Sequence, residues 1–82
     1  MLGRREGAVA GETVLLRDAA GRLLIRKVWM EDAEKVYISA EPGLFPVGFP
    51  REDAFAPDPS ALGSIADGSR PEPAFWEALT PW

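Results

Sequence analysis

Residues 12–29 read Glu-Thr-Val-Leu-Leu-Arg-Asp-Ala-Ala-Gly-Arg-Leu-Leu-Ile-Arg-Lys-Val-Trp, and they restrict the fold more than any other stretch. Two runs of aliphatic residues flank a short polar segment, the pattern of two β-strands joined by a tight turn. Asp18 suits the first position of a type I turn, and Gly21 suits the left-handed residue after it. This register sets Asp18 opposite Arg22, Leu16 opposite Leu24 and Val14 opposite Arg26. One face of the hairpin then carries Val14, Leu16, Leu24 and Val28, with Asp18, Arg22 and Arg26. The other carries Leu15, Leu23, Ile25 and Trp29, with Thr13, Arg17 and Lys27. A sheet with one wet face alternates apolar and polar residues. Here both faces hold four large apolar groups, so both require cover.

Further strands follow the hairpin. The first two are expected at 13–17 and 22–30. After the polar Glu31-Asp32-Ala33-Glu34, residues 35–39 alternate as a third strand with Val36 and Ile38 on one side. Residues 41–50 mix Gly43, Pro46, Gly48 and Pro50 with Leu44, Phe45, Val47 and Phe49. Proline cannot donate to a ladder, so this is a loop or an edge, with apolar side chains expected to fold over a barrel mouth. Pro50-Arg51-Glu52-Asp53 has the form of one helical turn, proline first and acids near its positive end. Ala54-Phe55-Ala56 is then a short closing strand.

Residues 58–72 are rich in Pro, Ser, Gly, Ala and Asp and read as a linker. Beyond it, Pro73 can open a short helix that Pro81 stops by about Leu79. Phe75 and Leu79 are spaced i, i+4 with Trp76 beside them, giving that helix an apolar face. The expected organisation is a flexible N-terminus at 1–8, a small β-domain at 9–57, the linker, and an aromatic tail at 73–82 packed on the sheet.

Strand, turn, strand, strand, loop, helical turn and closing strand is the element order of the Src-homology-3-like barrels. Gly43-Leu44-Phe45-Pro46, echoed by Gly48-Phe49-Pro50, resembles a motif of that family. The resemblance spans residues 9–57 and implies a mainly β fold, an antiparallel barrel of four or five strands with a short C-terminal helix. The family's tyrosine-rich opening segment and its tryptophan pair are missing, with Trp29 standing alone. What the resemblance implies is therefore the barrel rather than the polyproline-peptide groove.

Composition narrows the chemistry. The 82 residues include no cysteine and no histidine, which removes disulfides, thiolate metal sites and His-based acid–base catalysis. Asparagine and glutamine are absent too, while proline and glycine each occur eight times, a pattern shared by thermophile proteins and by GC-rich codon usage. Net charge is −4 and unevenly spread: residues 1–30 hold six basic against three acidic side chains, residues 31–82 three against ten. An acidic chain repels phosphate backbones unless a local basic patch outweighs the field. No apolar run reaches signal-peptide or membrane-spanning length, and a cytoplasmic address is expected by default.

Two groups of residues remain as candidate contact sites. Phe75, Trp76, Leu79 and Trp82 belong to a short helix and the tail after it, too short to persist alone in water, so they dock either on their own sheet or in another protein's groove. Arg17, Arg22, Arg26 and Lys27, with Trp29 or Tyr37, pair cations with stacking aromatics as nucleic-acid-binding sheets do. The register splits those cations between two faces and sets Asp18 to neutralise Arg22. Glu31, Asp32 and Glu34, or Glu52 and Asp53, lack calcium-loop spacing and read as a solvated turn and a helix-start charge complement. Ser39 has no histidine to activate it, and no glycine-rich phosphate loop is present. The sequence therefore points to a non-enzymatic protein-interaction or accessory module without a cofactor or metal. An RNA- or DNA-binding barrel using residues 17–27 is the alternative, and a structural subunit or homodimer through an exposed strand edge is a third.

Overall fold

The computed structural model describes residues 11–39 and 46–82. Its strands are β1 (Thr13–Arg17), β2 (Leu23–Glu31), β3 (Lys35–Ser39), β4 (Pro46–Pro50) and β5 (Ala54–Phe55). A 3-10 turn at Arg51–Asp53 joins β4 to β5, and two short helices follow, α1 (Pro59–Ser64) and α2 (Pro73–Glu77). The fold is mainly β: five antiparallel strands in one open sheet, ordered β4-β3-β2-β1-β5. The flexible N-terminus expected at 1–8 and the Gly43-Leu44-Phe45 part of the motif lie outside the described residues.

The β1–β2 hairpin has the register its turn residues require, with Leu16 opposite Leu24 and Val14 opposite Arg26. Gly21 takes φ +82°, which a side chain would strain. Asp18 Oδ1 accepts the backbone N–H of Ala20 (2.9 Å) and of Arg22 (2.8 Å), replacing ladder bonds that the turn interrupts.

Alternation along these strands produces two cores. On what we call the Leu16 face, Val14, Leu16, Val28, Val36, Ile38 and Ala54 are buried together, with Leu24, Phe49 and Trp82 packed against them. On the Leu15 face, Leu15, Leu23 and Phe55 are buried with Trp76 and Leu79 from the tail. Ile25 packs beside them, as do Ala61, Leu62, Ile65 and Phe75. The second cover thus comes from the chain's own C-terminal third.

Three expectations need correction, and a fourth is narrowed. The second strand runs one residue later than expected, over Leu23–Glu31. Trp29, placed with Leu15 and Leu23 by simple alternation, joins neither core and is 51% exposed. A bulge is the cause. Val28 pairs with Ile38 and Met30 with Tyr37, so two steps on β2 match one on β3 and Trp29 is the extra residue. Of the two forms expected for residues 46–50, the edge is the one found, as β4, and not a loop folded over a barrel mouth. The stretch read as a linker contains α1, started by Asp58, whose side chain accepts the Ser60 N–H.

The physical reason for that last difference lies in β2. β3 pairs only from Val28 onward, leaving the first half of β2 without a partner on that side. Residues 67–69 take the place of a strand there. Ser69 O accepts from Leu23 N (2.8 Å), Gly68 N donates to Leu23 O (2.6 Å), and Asp67 Oδ1 accepts from Ile25 N (2.8 Å). Backbone groups beside a core must be paired, and this segment pairs them.

Candidate functional site

The tail residues Phe75, Trp76, Leu79 and Trp82 do not act as one patch. Trp76 and Leu79 are buried on the Leu15 face; Phe75 stands edge-on to Trp76, with ring centroids 5.3 Å apart. Trp76 also tilts against Phe55 at 5.3 Å. Residues 80–82 then run antiparallel to β5: Ala56 N donates to Thr80 O (2.8 Å) and Trp82 N to Ala54 O (3.0 Å). This carries Trp82 round the sheet edge to the opposite core, where its Nε1–H donates to Glu31 Oε1 at 2.9 Å. The same carboxylate oxygen accepts from Arg51, which also donates to Asp32 O (2.9 Å). The tail therefore grips both faces.

The hairpin cations are distributed differently. Arg17 pairs with Asp53 (2.9 Å), and its guanidinium lies 5.3 Å from the ring centroids of both Phe55 and Trp76. Arg22 pairs with Asp18 (3.2 Å) and Arg26 with Asp67 (2.7 Å). Three of the four basic residues proposed for nucleic-acid contact are thus engaged within the chain. Lys27 is exposed, and neither it nor Lys35 forms an ion pair among the described residues.

Lys27, Met30, Lys35, Tyr37 and Gly48 share the continuation of the Leu15 face beyond the lid, as the register of β2, β3 and β4 requires. Trp29 emerges from the bulge beside them. Tyr37 is held in place: its hydroxyl donates to Asp32 Oδ2 (3.0 Å), and its ring lies so close over β4 that a Cβ on Gly48 would come within 2.9 Å of it. Asp32 is anchored in turn, since its Oδ1 accepts from Glu34 N and Lys35 N (both 2.8 Å). Those backbone bonds, and then the Tyr37 hydroxyl, hold the Asp32 carboxyl below its usual range, while the Tyr37 phenol is pushed up, chiefly by its bond to Asp32. The result is a rigid aromatic platform with Trp29 (51% exposed) and Met30 (41%) next to it.

An open cleft of about 400 Å³ lies under the β2–β3 turn, lined by Glu31, Asp32, Ala33 and Arg51. Its acids are committed to Arg51, Trp82, Tyr37 and backbone donors, an arrangement that holds structure together rather than presenting a base. Among the described residues, no group of three acidic side chains is placed to hold a metal ion, and no helix is long and apolar enough to cross a membrane.

Sequence alternation missed the Trp29–Met30–Tyr37 grouping because the bulge moves two of its members onto one side. The signal available was Gly48 opposite an aromatic residue, a pairing in which the ring shields a bare strand backbone. No family model, curated protein or solved structure matches the chain.

Proposed function

We propose that the protein is a non-enzymatic cytoplasmic interaction module of the Src-homology-3-like type, which presents the uncovered part of its Leu15 face to another protein. One observation carries the reading. Leu15, Leu23 and Phe55 are covered by the tail, whereas Trp29 and Met30, on the same sheet, are left exposed beside a fixed Tyr37. Exposed Trp and Met next to a rigid aromatic are the residue types that dominate protein interfaces. The barrel assignment is supported by the strand order and by the 3-10 turn between β4 and β5.

The strand-edge homodimer is less well supported. The β5 edge is occupied by residues 80–82. On β4, the bond from Arg51 N to Glu34 O fixes a phase in which Phe49 and Val47 donate to β3, so residues 46, 48 and 50 turn their nitrogens outward. Two of those three are proline, which blunts the edge. Nucleic-acid binding is weakened by the pairing of Arg17, Arg22 and Arg26.

Affinity capture from the native host tests the proposal, using the full chain and the double variant Trp29→Glu/Met30→Glu. A partner protein retained by the wild type and lost by a variant with unchanged melting is the expected result. A partner held equally by both would refute it.

A further inference from the structure

We infer that the partner segment is acidic and amphipathic, laid across the sheet face rather than added at its edge; this rests on the interaction reading above. Among the described residues, the cationic side chains of the sheet and its turns fall into two groups, and Arg70 stands apart from them beside Pro71, Pro73 and Trp76 of the tail. Arg17, Arg22, Arg26 and Arg51 are all in ion pairs with Asp53, Asp18, Asp67 and Glu31. The chain's two lysines, Lys27 and Lys35, are exposed, form no ion pair among the described residues, and share the face of Met30 and Tyr37. In a chain of net charge −4, the cations without an ion pair on the described strands lie on the face of exposed Met30 and of Tyr37.

Geometry decides how a partner approaches. The β4 edge offers a single outward N–H, at Gly48, between two prolines, which is too little for strand addition. The neighbouring half of the same face shows the alternative within this molecule. There, two short helices set Leu62, Phe75 and Trp76 on the sheet, with Leu79 just after α2, so an incoming helix with apolar anchors on one side would continue the same layer.

Charge also separates the candidate occupants. A second copy meeting this face through a two-fold axis would set lysines against lysines, which is repulsive. A nucleic acid would meet two lysines against a net negative field, a small counterion-release term. Acidic residues flanking an apolar stripe satisfy both features of the patch at once.

The test is selection from a display library of random peptides about 16 residues long, roughly four helical turns, on the full-length chain. Winners are then titrated against the wild type, Trp29→Ala and Lys27→Glu/Lys35→Glu, each checked for unchanged melting. The expected winners carry net negative charge and an apolar i, i+3, i+4 stripe. They lose about tenfold or more in affinity with either variant and weaken as salt rises. Winners that need Trp29 but are neutral or basic would overturn the acidic assignment and leave the interaction module standing. Absence of any Trp29-dependent winner would remove both. Binding of a thymidine oligonucleotide through Lys27, Lys35 and Trp29, without peptide winners, would replace this inference with the nucleic-acid reading.

Discussion

The Leu15 face of the sheet has two halves with opposite fates. Over β5, β1 and the start of β2, Leu15, Leu23 and Phe55 are sealed beneath Trp76 and Leu79. Over the end of β2, β3 and β4, Met30 and Tyr37 lie on the same face with no lid among the described residues, beside an exposed Trp29. The covered half presents Leu15, Leu23, Ile25 and Phe55, whereas the open half mixes Met30 and Tyr37 with Lys27, Lys35 and Gly48. They differ also in the reach of the C-terminal segment. It starts at β2, where 67–69 act as a substitute strand, and leaves along β5, so it crosses only the first half. Trp29 and Met30 are exposed beyond the point where that cover ends.

Removing the cover is the most severe way to break that contrast. Deletion of residues 71–82 takes away Trp76 and Leu79, each contributing roughly 1.5–3 kcal/mol by burial, together with the strand on β5. Against a total stability of about 5–10 kcal/mol for a domain this small, cooperative urea unfolding is expected to disappear. A truncated chain with a sharp, unshifted transition would show that the lid is ornamental.

Single substitutions sharpen the comparison. Trp76→Ala is expected to cost about 3–5 kcal/mol, whereas Trp29→Ala should stay within about 0.5 kcal/mol, both read from denaturant midpoints. Equal losses would mean that the two halves are energetically alike. Acrylamide quenching should follow the same order, with the fluorescence lost in Trp29→Ala being the more quenchable part.

Gly48→Ala probes the platform itself. The new Cβ would stand 2.9 Å from the Tyr37 ring, and overpacking of this kind costs about 1–3 kcal/mol. In a double-mutant cycle, Tyr37→Ala should remove most of that penalty. A penalty that persists without the ring would place its origin in the backbone.

The smallest effect is titration. Asp18, Asp32 and Asp67 are all held below the usual carboxylate range, first by backbone N–H groups of Arg22, Glu34 and Ile25 respectively. A folded-state pKa lowered in this way contributes stability that is fully present above the unfolded value of about 3.9 and is lost as pH falls through the folded value. Thermal midpoints should therefore be flat from neutral pH to about 5 and drop below about 4. Asp67→Asn and Asp32→Asn should each flatten part of that drop. A chain whose midpoint rises on acidification would contradict the hydrogen bonds drawn here.

Local chemistry made much of this legible beforehand. The turn at Asp18 and Gly21, the span of β3, the helical turn after Pro50 and the apolar loading of both hairpin faces all follow from residues within a few positions of one another. Strict alternation assumes an uninterrupted ladder, and the insertion at Trp29 leaves that residue unpaired and reverses Met30 and Glu31 after it. Residues 58–72 have the composition of a loop, so the sequence alone reads as a linker there. Their order comes from groups far away in sequence, the open edge of β2 above all.

The sequence by itself determined that a two-sided apolar hairpin needs cover front and back, since the period of a strand sends neighbouring side chains to opposite sides. Only the tertiary structure decided which segment supplies that cover and where it stops. Those outcomes depend on unpaired backbone groups at β2 and β5, and such groups find partners by proximity in space, which no local pattern encodes.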